Sequence, residues 1–142
     1  MKRIFRDFDN EEIVQQLSGE GGIFRHIWQV LLFSAALGIT KNKKRQLDNP
    51  DPGKALMESV FSATNWKGFI YLMSLVETGD SDCLRAKEEE QNEMIKNFEE
   101  YANSGLHYLN RRISDTNNDD LDLFIEMLMN VDATINVEDE QI

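Results

Sequence analysis

The chain has 142 residues, 41% of them hydrophobic and 29% charged, which is enough for one apolar core and excludes wholesale disorder. Its single cysteine, Cys83, excludes a disulfide framework and suits a reducing cytoplasm. The net charge of −11 is uneven: residues 1–67 balance at +2 and residues 68–142 at −13, so bare nucleic acid is repelled by the second half and admitted, if at all, through the first.

Met1 to Asp9 carries Lys2, Arg3 and Arg6 without an apolar stretch or a small-residue cleavage site, so export is not expected. Asp9 is an expected N-cap for a short helix with Glu11 and Glu12 in its first turn and Ile13, Val14 and Leu17 on its apolar face. The run Ser18-Gly-Glu-Gly-Gly22 breaks it. From Ile23 to Leu37 two apolar stripes recur at helical spacing, which predicts the central helix of the core, with Gly38 at its C′ position. The apolar run Ile27–Ile39 is shorter than the ~20 residues a membrane span needs, so no membrane is implied.

Thr40 to Gly53, with Lys41, Lys43, Lys44, Arg45, Pro50 and Pro52, predicts an exposed loop. Ala55–Ala63 and Trp66–Val76 read as two short helices, although Val60-Phe61 and Phe69–Leu72 also suit strands. Leu84, Gln91, Ile95, Phe98, Ala102, Leu106, Leu109 and Ile113 then step by threes and fours, which predicts one long helix over 82–113. Its opposite face, with Glu88, Glu89, Glu90, Glu93, Glu99 and Glu100, suits water or a basic partner. Asp119–Val131 reads as a last helix, and the acidic tail 132–142 as frayed. The expected fold is a mostly α, compact helical bundle of about five to six helices, forming one domain over 1–131.

Catalytic signatures are missing: there is no phosphate loop, nucleophile elbow, H-E-x-x-H or C-x-x-C. His26, His107 and Cys83 show no metal-ligand spacing, so no metal or cofactor is expected; His26 beside Arg25 is at most an anion contact. The acids Glu89, Glu93, Glu99 and Glu100 would chelate a divalent ion only if another helix supplied further carboxylates, and otherwise form a solvated face.

Two features favour binding. The last helix is apolar on most sides, and Phe124, Met127, Leu128 and Met129 offer adaptable contacts to a partner unless the helix is buried in its own domain. The cluster Lys41, Lys43, Lys44 and Arg45 is positive charge in an acidic protein, suited to a phosphate backbone or an acidic partner, or simply a solvated loop. No aromatics interleave with these cations, so base stacking is not supported.

Phe24-Arg-His-Ile-Trp28 leading to Leu32-Phe-Ser-Ala-Ala-Leu-Gly38, the basic loop after it, and Glu99-Glu-Tyr-Ala-Asn-Ser-Gly-Leu106 in the long helix carry a resemblance. The chain resembles the small DNA phosphorothioation-associated proteins of the "associated protein 4" type, which occur beside antiphage defence genes in bacteria. The likeness covers about Ile23 to Ile113, with Ser104 in place of a second glycine and an additional acidic end from Thr116. It implies bacterial defence and an accessory role, and brings no catalytic residues. In the same string Tyr101 and Gly105 let another backbone approach closely, either residues 31–36 of this chain or a second subunit.

The resulting expectation is a non-catalytic accessory or adaptor subunit, not an enzyme, docking on a larger ATPase, nuclease or DNA-sensing protein, with homo-oligomers open. The alternative is a nucleic-acid-binding or regulatory module using loop 41–45. A metal-dependent nuclease built on the acidic helix is a third reading.

Overall fold

In a computed structural model, residues 3–57, 59–63, 69–70, 72–73, 75, 79 and 88–115 are described. They are mostly helical, with one small sheet. Strand β1 (Arg3–Ile4) pairs antiparallel with β2 (Leu56–Met57), in the register Arg3 to Met57 and Ile4 to Leu56. Ahead of helix α1 (Glu11–Leu17) lies a 3₁₀ turn, Phe8–Asn10, so Asn10 and not Asp9 holds the N-cap position, and Asp9 falls inside the turn. Helix α2 is Ile27–Thr40, α3 is Ser59–Ala63 and the long α4 is Glu88–Asp115.

Two elements differ from the sequence reading. The helix expected over 55–63 is shorter, because Leu56 and Met57 are taken by the pairing with β1 before α3 starts at Ser59. Gly38 is not the C′ residue of α2; it lies inside the helix. The left-handed position belongs to Asn42 at φ 53°, where Asn42 N–H donates to Ile39 O and Lys43 N–H to Gly38 O, both at 3.0 Å. That pair of bonds is the Schellman closure, with asparagine tolerated in the left-handed region where glycine is commoner.

The core lies between α2 and α4. Val30, Leu31, Leu32 and Ala35 of α2 meet Met94, Ile95, Phe98, Tyr101, Ala102, Leu106 and Leu109 of α4, joined by Ile4, Ile13, Val14 and Leu17. Phe61 stands edge-on to Phe98 with ring centroids 5.4 Å apart, which places α3 against the same core. The predicted stripe on α4 is thus the buried face from Ile95 to Leu109, with Ile113 half-buried. Leu84 and the expected helix 119–131 lie outside the described residues.

The two helices touch through glycines. A Cβ on Gly105 would overlap the Ser34 backbone, with its carbonyl carbon at 2.6 Å and its Cα at 2.8 Å. A Cβ on Gly38 would lie 3.0 Å from the Tyr101 carbonyl carbon, and closer still to its oxygen. Each helix therefore supplies one glycine to let the other's backbone in. Ser34 between them is fully buried, and its Oγ finds no hydrogen-bond partner among the described residues. Its small size, and not its hydroxyl, is what the contact uses.

A buried arginine ties the N-terminal segment together. Arg6 is 3% exposed; its Nε and Nη2 donate to the Glu11 carboxylate at 2.7 and 3.1 Å, and Nη1 donates to Lys54 O at 2.6 Å. Burial pushes the Glu11 carboxyl up, but the hydrogen bonds from Arg6 and Gln15 and the charges of Arg6 and Lys54 outweigh it. The carboxyl therefore titrates below its ordinary 4.5. Such a carboxylate contributes stability that is complete above pH 4.5 and is lost as pH falls through the lowered folded value. Arg6→Lys, which keeps the charge but loses the fork, is expected to cost about 1–2 kcal/mol in urea unfolding at pH 7. The deficit should shrink in acid as Glu11 protonates.

Candidate functional site

The basic loop is exposed, as its composition predicts, yet its backbone is held almost residue by residue. It starts from the closure at Asn42 and Lys43. Arg45 N–H donates to Glu100 O at 3.1 Å, and Asn103 Nδ2 donates to Arg45 O and Gln46 O, both at 3.2 Å. Asn103 is 2% exposed, and its own Oδ1 accepts from Asn10 Nδ2 at 2.8 Å. Further along, the buried Asp7 carboxylate accepts Asp48 N–H at 3.1 Å and Asn49 N–H at 2.9 Å. Phe8 N–H donates to Asn49 O and Asp51 N–H to Arg6 O, each at 3.0 Å.

Asp7 and Asn103 are thus buried because they satisfy loop amides and carbonyls that would otherwise be unpaired, and Asn10 because it donates to the Asn103 side chain. The loop side chains point the other way. Lys41, Lys43, Lys44 and Arg45 are all exposed. Lys41 Nζ stands 4.1 Å from the centre of the Tyr108 ring and Lys44 Nζ 5.8 Å from that of Tyr101, so the loop runs alongside α4. Arg45 reaches Asp48 at 3.7 Å, a pair exposed on both sides and worth little in water.

Helix α4 adds positive charge of its own here. Residues 103, 107 and 111 are one helical turn apart, so His107 and Arg111 follow Asn103 along the face that meets Arg45. Burial, and then the charges of Arg45 and Arg111, hold the His107 imidazole below its ordinary 6.5. At neutral pH it is uncharged, and the cations beside it are the two arginines.

A protein-family model described as DNA sulphur modification system-associated protein 4 matches residues 3–142. The chain belongs to this family. No curated protein and no solved structure matches the chain. The match extends past both ends of the stretch 23–113 on which the resemblance was read, and the acidic end from Thr116 falls inside the family's span.

The string Glu99 to Leu106 has a structural account at nearly every position. Glu99 Oε1 accepts Phe5 N–H at 3.0 Å, and Glu100 supplies the carbonyl for Arg45. Tyr101 and Ala102 are core, Asn103 holds the loop, Gly105 admits Ser34, and Leu106 is fully buried. The backbone that approaches Gly105 is α2 of the same chain, and Tyr101, 4% exposed, carries Lys44 over its ring. The acidic face is accordingly narrower than expected: Glu93 is exposed, but Glu99 is half-buried on the N-terminal segment and Glu100 is 9% exposed. Among the described residues no group of three or more His, Cys, Asp or Glu is placed to hold a metal ion, and no helix is long and apolar enough to cross a membrane. Phe124, Met127, Leu128 and Met129 lie outside the described residues.

Sequence reasoning missed Asp7, Asn10, Asn103 and Arg111 as parts of this site. The first three carry no sign in isolation, because their partners, loop backbone for Asp7 and Asn103 and the Asn103 side chain for Asn10, are remote in sequence. Arg111 was legible as one of five Lys/Arg in an acidic half, beside Arg112, but nothing in the order of residues brings it to the loop.

Proposed function

We propose that this chain is a non-catalytic accessory subunit of a bacterial DNA sulphur modification and antiphage system, acting in the cytoplasm as an adaptor through protein contacts. The observation that supports this reading is membership, over residues 3–142, of a family described as associated with a DNA sulphur modification system. The contacts to a larger ATPase, nuclease or DNA-sensing subunit are assigned to Phe124, Met127, Leu128 and Met129, on the strength of the apolar sequence around them. Co-purification with the products of neighbouring genes tests it. The parent chain is expected to retain a partner through size exclusion, and Leu128→Asp to release it while unfolding at the parent's temperature. A chain that elutes alone in the presence of those products would end the reading.

A second reading, nucleic-acid binding through Lys41, Lys43, Lys44 and Arg45, is favoured by one observation. The loop that presents these four cations is held by buried side chains and backbone bonds, so they project from a fixed frame. An ordered presentation loses less entropy on binding than a free loop does.

A further inference from the structure

We infer that the cations of loop 41–45 and of the last turns of α4 form a single surface for the phosphate backbone of duplex DNA, with Arg111 its second anchor. The inference rests on the second reading above and extends it from one loop to two elements. Two contacts and one helical spacing place them together. Lys41 lies over Tyr108, Arg45 is held by Glu100 O and Asn103 Nδ2, and Arg111 stands two turns on from Asn103 along the same helix face. Arg45 and Arg111 both act on His107 between them, which is independent of the loop's hydrogen bonds and agrees with that placement.

The chemistry selects the ligand. Lys41, Lys43, Lys44, Arg45 and Arg111 are exposed cations and His107 a half-buried donor, and all six can donate to phosphate oxygens. The tyrosines beside them are unsuited to stacking bases. Tyr101 is buried and Tyr108 is half-buried under the Lys41 ammonium, so neither ring offers an open face, and contact to the backbone of paired strands remains. Asp48 is the acid nearest Arg45, and its 3.7 Å pair is weak enough for a phosphate to displace. An acidic protein surface would satisfy the same cations, and it is the competing occupant.

The test is fluorescence anisotropy of the full chain with a labelled DNA duplex of about 20 base pairs, titrated at several salt concentrations. Binding should weaken steeply with salt, and each phosphate contact contributes about 0.9 to the slope of log K against log salt. Arg111→Gln should weaken binding about five- to tenfold and reduce that slope by about one, with unfolding unchanged. The variant Lys43→Ala/Lys44→Ala/Arg45→Ala should lose most of it. If the loop variant loses binding and Arg111→Gln does not, the two-element surface is wrong and the loop reading stands. If the parent chain fails to bind duplex at about 50 mM salt, both fall. Equal binding to poly-glutamate and to DNA assigns the surface to an acidic protein and overturns the inference.

Discussion

Gly105→Ala is expected to lower the unfolding free energy by about 3 kcal/mol, the upper range for overpacking a buried contact. The added methyl would meet backbone, the Ser34 carbonyl carbon at 2.6 Å and Cα at 2.8 Å, and a helix backbone has no rotamer with which to yield. Relief requires α2 and α4 to separate along the contact that buries Leu31, Ala35, Ala102 and Leu106. Helix propensity pulls the other way, since alanine is favoured over glycine by about 1 kcal/mol inside a helix, and the clash has to exceed this. Gly38→Ala should act similarly through the Tyr101 carbonyl. The two together should cost clearly less than their sum, because helices already pushed apart by one methyl accommodate the second. Ser34→Ala, which removes only a buried hydroxyl without a partner among the described residues, should be neutral or slightly stabilising. Urea unfolding of the four variants checks this, and an alanine at 105 as stable as glycine would show that the helices do not meet at that point.

How much of this was legible beforehand differs by kind of interaction. The core was legible, because burial follows hydrophobic period: Ile95, Phe98, Ala102, Leu106 and Leu109 step along one face, and they are the residues α4 buries. Chain ends of elements were less so. Gly38 carries the usual sign of a helix C-terminus, and the same residue type serves close approach of a second helix; only the position of Tyr101 separates the two uses. The strand at Leu56–Met57 is also a tertiary matter, since its partner Arg3–Ile4 lies more than fifty residues away. Its two residues are too few to show a period of their own.

The loop shows the limit most clearly. Its charge was plain from Lys41 to Arg45, and composition predicts an exposed segment there. That it is held follows from Asp7 and Asn103, ordinary polar residues in sequence, becoming buried acceptors and donors for its backbone. A motif such as Glu99 to Leu106 therefore mixes three jobs on one helix: core at 101, 102 and 106, loop anchoring at 100 and 103, and helix approach at 105. Spacing alone separates the first from the others, and coordinates are needed to separate the second from the third.

Asn103→Ala follows from that division and should have the other large effect, a loss of about 2–3 kcal/mol. Three hydrogen bonds disappear: one buried amide donor on Asn10 is stranded, and the carbonyls of Arg45 and Gln46 lose their shared partner. A stranded buried donor costs roughly 1–3 kcal/mol, while the two loop carbonyls recover part of their loss from water. A double-mutant cycle with Asn10→Ala should show coupling of about 1 kcal/mol, since the second substitution removes the donor that the first strands. The loop should respond locally. Exchange of the Arg45 amide, which donates to Glu100 O, should accelerate more than that of Asp48 and Asn49, whose acceptor is Asp7. Binding of the DNA duplex should weaken although no cation has been removed, with the salt slope little changed, because Asn103 positions charges and carries none. Unaltered Arg45 exchange in a destabilised variant would mean that the loop is held by its other bonds, and the fixed frame on which the phosphate surface depends would not be Asn103's to provide.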